Sequence, residues 1–302
     1  MKKKLLSSSL LLTAAVLWGF AFVAQESANN IPPFTLGAAR SAVGFIFLIF
    51  IVMLLDRISG SGRVLISKRG IDLTGYEIIG GIICGIILAL ASFLQQSGIN
   101  SGTDGGKAAF ITALYVVMVP IYALALRKKA TLNVWVAVGI SVIGFYLLCI
   151  KSDFTVSPSD LFCLGGALIF PIHILTIDHF SPRCDGVRMS TVQFLTATLV
   201  NLVMAFILEP PITAEVISGG LLPILYLGIA SSGIAYTLQI VGQRNVPPAA
   251  ASIILSLESV FGVIGGAVIL GSTMLPREYA GCAIVLASVI LAEVDFKKKE
   301  KK

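Results

Sequence analysis

The chain has 302 residues, 56% of them hydrophobic and only 13% charged, with a mean hydropathy of +0.94 and a formal net charge of +6. Soluble domains carry about 25% charged residues, so this composition excludes a soluble globular core and makes a lipid bilayer the solvent to reason with. The five cysteines (Cys84, Cys149, Cys163, Cys184, Cys282) are scattered, with no C-x-x-C pair and no histidine cluster, which argues against a disulfide framework, a metal site and a cofactor.

Taken in chain order, apolar segments recur at roughly 5–27, 34–55, 74–96, 105–126, 132–150, 158–178, 188–209, 218–240, 247–270 and 276–294. Each is near the ~20 residues that one bilayer crossing requires. The expectation is an all-α integral membrane protein with ten transmembrane helices. The first segment follows Lys2-Lys3-Lys4 and runs on to Ala24. That exceeds the ~7–15-residue core of a cleaved signal peptide and lacks a good cleavage site, so it reads as a retained helix.

Between the third and fourth segments lies "GINSGTDGGKAAF", Gly98 to Phe110. A phosphate-binding loop reads G-x-x-x-x-G-K-[ST] after a strand. Here Ser101 replaces the first glycine, Ala108 replaces the magnesium-binding hydroxyl, and membrane segments flank the turn on both sides. ATP is therefore not expected as a partner. Lys107 falls in the first turn of the fourth segment, where two roles are open to it. It either snorkels to the headgroups or joins the free N–H groups of that helix in drawing an anionic group toward a cavity mouth.

Basic residues orient the chain. With the amino terminus in the cytoplasm, 18 of the 22 Lys and Arg fall on the inner side: three at the start, then Arg57, Arg63, Lys68, Arg69, Arg127, Lys128, Lys129, Arg183, Arg188 and Arg244, and five in the tail. Lys107, Lys151 and Arg277 fall outside, and Arg40 lies within the second segment. This asymmetry predicts both termini in the cytoplasm of a multi-pass cell-membrane protein. The positive charge then reflects topology and attraction of the tail to anionic lipid, with no nucleic-acid partner required.

Displacing the sequence by 144 residues lays "LQQSGIN" (Leu94 to Asn100) on "LQIVGQR" (Leu238 to Arg244), Gln95 on Gln239 and Thr112 on Ser256. At a slightly different displacement Trp18-Gly19 meets Phe170-Pro171. The chain reads as two five-helix repeats, 1–150 and 151–302. Because five is odd, the second repeat enters the membrane from the opposite side, the inverted arrangement used by secondary transporters.

"LWGFAFVAQ" (Leu17 to Gln25), the arginine in "AARSAVGF", "GKAAFITALYVVMVP" (Gly106 to Pro120) and "LSLESVFGVIGG" (Leu255 to Gly266) together resemble the drug/metabolite transporter superfamily, EamA type. The resemblance spans nearly the whole chain. It implies a ten-helix secondary carrier, typically an exporter of amino acids or other small metabolites, with a central cavity between the halves. It also suggests Trp18 and Tyr115 as aromatic cavity walls, although packing alone would account for both.

Five further polar residues are candidates for that cavity. Gln95 and Gln239 are repeat mates at opposite ends of the membrane, either paired gates or ordinary interfacial glutamines. Arg40 at membrane depth needs a partner, either helix-end carbonyls or substrate, because an arginine there costs ~2.5–3.5 kcal/mol on insertion scales. His173 either lines the cavity or satisfies the carbonyl freed by Pro171. The last candidate is Glu258, alone among 16 acidic residues in lying far from a segment end, about 16 Å from either. An ionised carboxylate there is costly unless paired, hydrated or protonated. It is either a proton or amine site or a hydrogen-bonding contact across the smooth face made by Gly262 and Gly266.

A secondary carrier that exports a small-molecule substrate by alternating access is thus the expected function, and proton coupling follows only from the first of the two readings of Glu258. An uptake carrier or exchanger is the alternative. A channel would show polar stripes or charged rings, and an enzyme would show a catalytic constellation such as paired aspartates or H-E-x-x-H; the sequence has neither.

Overall fold

A computed structural model describes residues 2–59, 66, 67, 70–128, 130–149, 156–211, 213–271 and 274–293 of the chain. Arg63, Lys68, Arg69, Lys129, Lys151, the tail lysines and the junction of the two expected repeats lie outside the described residues.

The described chain is almost wholly helical. The elements are α1 (Lys2–Ser27), α2 (Pro33–Ser59), α3 (Gly75–Asn100), α4 (Gly105–Ala113), α5 (Tyr115–Ala125), α6 (Leu132–Cys149), α7 (Pro158–Phe180), α8 (Gly186–Leu208), α9 (Ala214–Gly219), α10 (Leu221–Tyr226), a π-helical stretch Leu227–Ala235, α11 (Tyr236–Gln243), α12 (Pro248–Leu255), α13 (Glu258–Leu270) and α14 (Pro276–Glu293). Among the described residues a minute strand pairing is present: β1 (Ile66–Ser67) runs antiparallel to β2 (Gly70–Ile71) in the connection between α2 and α3. Eight helices among the described residues are long and apolar enough to cross a membrane. The ten expected segments all appear in order, but α6 and α14, 18 residues each, fall outside those eight; α14 carries Arg277, Glu278 and Glu293.

Local sequence sets the helix starts. Thr74 and Glu77 form a capping box at the head of α3, Glu77 N–H donating to Thr74 Oγ1 at 3.3 Å and Thr74 N–H to Glu77 Oε2 at 2.7 Å. Ser157 N–H donates to Asp160 Oδ2 at 2.7 Å, and Pro158 occupies the first position of α7, where its missing N–H costs nothing. The head of α2 borrows its cap from the other half of the chain. Glu209, at the end of α8, accepts from Phe34 N–H at 2.6 Å and Thr35 N–H at 2.8 Å.

Two of the expected segments are broken midway. Between α4 and α5 the chain tightens by one turn at Leu114, whose N–H donates to Ile111 O at 3.2 Å. Between α12 and α13 it tightens at Ser256 and Leu257, with Leu257 N–H donating to Ile254 O at 3.2 Å. Ser252 and Ser256 return their hydroxyls to Ala249 O and Ile253 O, a back-bonding that bends helices.

The helices pack as a bundle in which α3 lies against α7 and α8, α2 against α8 and the π stretch, α1 against α13 and α11, and α6 against α14. Large apolar side chains such as Ile46, Phe50, Phe206, Leu222 and Val268 point outward, which is where lipid tails belong. Helices in lipid gain no hydrophobic drive from meeting one another, so close approach must come from small residues. At the α1–α13 crossing a Cβ on Gly19 would stand 2.4 Å from Phe261 Cβ and 2.7 Å from Gly262 N. Gly19→Ala is therefore expected to lower stability by about 1–3 kcal/mol, the usual cost of overpacking. Gly139→Ala, whose Cβ meets nothing within 4 Å, serves as the control and leaves the thermal melt of purified protein unchanged or raised.

Candidate functional site

The broken helices face a buried cavity. Its walls come from α1, α2, α3, α4 and α5 in the first half and from α7, the π stretch, α11, α12 and α13 in the second. The enclosed space is about 530 Å³, its open mouth included. Of the eight residues expected to bind substrate, seven line this one space: Trp18, Arg40, Gln95, Tyr115, His173, Gln239 and Glu258.

Arg40 projects from the second turn of α2 and is only 8% exposed. Its Nη2 donates to Ser231 Oγ at 3.1 Å and its Nε to Ser232 Oγ at 3.4 Å, both in the π stretch. These partners are hydroxyls rather than the helix-end carbonyls expected. No carboxylate among the described residues pairs with it. Trp18 is tied to the same stretch, its indole N–H donating to Ser231 O at 3.2 Å. A π turn widens the helix and is common at functional positions, and here it presents both the serine hydroxyls and this carbonyl to the cavity wall.

Glu258 does not sit in the middle of a helix. It opens α13, immediately after the break, where Ser259 N–H donates back to Ser256 O at 3.2 Å and Phe261 N–H to Leu257 O at 3.0 Å. It is 6% exposed, and its Oε1 has no hydrogen-bond partner. Tyr115, at the equivalent break before α5, faces it closely enough for the two side chains to interact, although neither the Tyr115 hydroxyl nor Glu258 Oε1 reaches hydrogen-bond geometry. Of the two glycines expected to make a smooth face beside Glu258, Gly262 lies against α1, where a Cβ would meet Gly19 O at 3.5 Å.

The glutamine mates differ. Gln95 is fully engaged, donating to Thr112 Oγ1 at 2.9 Å and accepting from Gln25 Nε2 at 3.0 Å, while Gln239 Oε1 lies buried without a partner. His173 Nε2 lies 3.2 Å from Gln193 Oε1 of α8, so it does not serve the carbonyl freed by Pro171. Lys107 stands apart from the cavity. Its ammonium pairs with Asp160 of α7 at 2.5 Å, and Asp160 also accepts from Thr103 Oγ1 at 3.0 Å.

Several lining residues were not singled out by sequence: Gln25, Ser92, Phe170, Ser231 and above all Tyr236. The Tyr236 ring is the hub of an aromatic cluster, 4.5 Å from Trp18 and 5.7 Å from both His173 and Phe194. The repeat offered the available signal, since Tyr236 is the mate of Ser92 at the same 144-residue displacement, and both line the cavity.

A sequence model of the EamA-like transporter family matches residues 5–150 and again 157–293. An uncharacterized transporter of Archaeoglobus fulgidus is 24% identical over 294 residues, covering 97% of this chain and 87% of that protein. The uncharacterized inner membrane transporter YedA of Escherichia coli K12 is 22% identical over 283 residues, covering 91% and 87%. YicL of Salmonella typhimurium, another uncharacterized inner membrane transporter, is 24% identical over 300 residues, covering 95% of each. A solved crystal structure shares the fold with a TM-score of 0.78 at 16% identity, covering 98% of this chain and 99% of its own.

The placement of Lys107 yields a test. Lys107→Gln should leave the apparent KM for a transported solute unchanged. Because the lysine side chain is 20% exposed and solvent screens the pair, loss of the ion pair should cost about 1 kcal/mol or less of stability. Transport kinetics and a thermal melt of the same variant check both.

Proposed function

The chain belongs to the EamA-like transporter family, and from that premise we propose a secondary-active carrier that exports a small metabolite or amino-acid-like solute by alternating access, its ten crossings forming two inverted five-helix repeats, 1–150 and 151–302. The observation that carries this reading is the cavity between the two halves, walled by both and flanked by helix breaks at corresponding places. Unwound backbone at mid-membrane is the usual mark of a transporter site. The packing supports the repeat as well, since contacts recur with mates exchanged. The third crossing lies on the sixth as the first lies on the eighth, and the fourth on the sixth as the first on the ninth. At ~1.5 Å per residue α6 and α14 reach about 27 Å, close to the ~30 Å of a hydrocarbon core.

In this reading Gln95 and Gln239 are the alternating gates. The bonded state of Gln95 with Gln25 and Thr112 is the closed gate. The unpartnered Gln239 is the gate that has let go. Protons are the proposed coupling ion and Glu258 their site, with Tyr115 of α5 and Tyr236 of α11 as the titratable groups facing it and His173 on the same wall. A proton and a solute amine compete for one carboxylate, so loading one releases the other.

Comparing intracellular and extracellular metabolites in cells with and without the protein tests the carrier reading; equal levels of every metabolite would overturn it. Glu258→Gln keeps shape and hydrogen-bonding capacity but removes the titration. Wild-type transport of an amine-bearing solute should weaken as cavity pH falls, and the variant's profile should be flat.

Orientation is tested at Cys184, between α7 and α8, in a variant holding no other cysteine. The thiol is half-buried, and burial pushes its pKa up to about 11, so labelling requires a mildly alkaline medium. A membrane-impermeant thiol reagent should label it only after the cells are opened. Labelling in sealed cells would place the termini outside.

A further inference from the structure

Two opposite charges line the cavity without a countercharge from the protein. Arg40 engages only two serine hydroxyls, leaving the rest of its five N–H donors uncommitted to any acid among the described residues. Glu258 forms no ion pair there, and its Oε1 and the facing Tyr115 hydroxyl are both buried without partners. Each is more than nine-tenths buried, where an isolated charge is costly, so each calls for a partner from whatever enters. Their separation is informative. Neither pairs with the other: Arg40 is held at Ser231, whose carbonyl takes the Trp18 indole N–H, whereas Glu258 opens α13 facing Tyr115. The Trp18 and Tyr236 rings, 4.5 Å apart, form an apolar wall of the cavity that both charges line.

We infer that the cavity takes a dipolar organic solute whose anionic group and protonated amine stand at opposite ends of an apolar body, Arg40 receiving the anion and Glu258 the amine. The inference rests on reading this cavity as the site of the transported solute. A purely anionic solute would leave Glu258 uncompensated, and a purely cationic one would leave Arg40 so. A solute with both charges on one carbon meets one partner but not the other. The apolar body lies along Trp18 and Tyr236, where aromatic faces accept a methylene chain or a ring.

Calorimetric titration of the purified full-length chain separates these cases. The probes are ω-amino acids from 4-aminobutanoate to 8-aminooctanoate, set against hexanoate, hexylamine and 2-aminohexanoate, the last an isomer of 6-aminohexanoate with its charges adjacent. The best ω-amino acid should bind at least about ten-fold tighter than each of the other three, one decade of Kd being about 1.4 kcal/mol. Arg40→Gln should bring it level with hexylamine, and Glu258→Gln level with hexanoate. If either variant fails to fold, the wild-type ranking alone decides. Equal or tighter binding of hexanoate, hexylamine or 2-aminohexanoate overturns the inference, as does failure of every ω-amino acid to bind. Binding of the ω-amino acid without movement into proteoliposomes would leave the inference standing and remove the carrier reading. Transport of some other solute with no ω-amino acid binding would do the reverse.

Discussion

Hydrocarbon offers no hydrogen-bond partner to a peptide group, and the rest of this structure depends on that constraint. Inside a bilayer the backbone must satisfy itself, so helices run unbroken wherever they meet lipid and depart from α geometry only where protein or a polar cavity surrounds them. Such departures at membrane depth fall together here: the tightened turn at Leu114, the one at Ser256 and Leu257, and the π stretch Leu227–Ala235. All three adjoin the cavity. The place of the site in the bundle thus follows from where irregular backbone can be tolerated.

The same dielectric argument sorts the charges. At one rim Arg188 of α8 pairs with Asp56 of α2 at 2.5 Å, and Lys128 pairs with Asp178; at the opposite rim Lys107 pairs with Asp160. Each of these joins the first half of the chain to the second. An ion pair is affordable near headgroups and water, and its cost rises toward the bilayer centre. The two charges that sit deepest, Arg40 and Glu258, are the ones left without an ionic partner among the described residues. Burial without pairing is a poor way to stabilise a fold, which is why these two residues point to a ligand.

Much of this was legible in the sequence because hydropathy and charge act over whole segments. The ten segments and their order could be read from hydropathy, and of the eight candidates drawn from polar side chains in apolar runs and from the family resemblance, seven line the cavity. The helix breaks could not, because "ALYVV" and "LSLES" contain no proline or glycine at the break itself and the tightening comes from one i→i+3 bond. Glu258 therefore read as mid-helix when it is in fact the first residue of α13. Lys107 misled for a different reason. Its partner Asp160 lies 53 positions further along, across an undescribed connection, and no periodicity links them. Tyr236 resembled any lipid-facing aromatic until packing put Trp18, His173 and Phe194 around it.

The hydrogen bond from the Trp18 indole to Ser231 O also gives the molecule an optical property. The chain has two tryptophans, and the other, Trp135, is partly exposed on the flank of α6, away from the cavity. Indole emission shifts with the polarity around the ring and is quenched by nearby side chains. Trp18, wedged between a carbonyl, a tyrosine face and the space a solute would fill, is placed so that its colour and brightness record what occupies the bundle's centre, and Trp135 supplies a constant background.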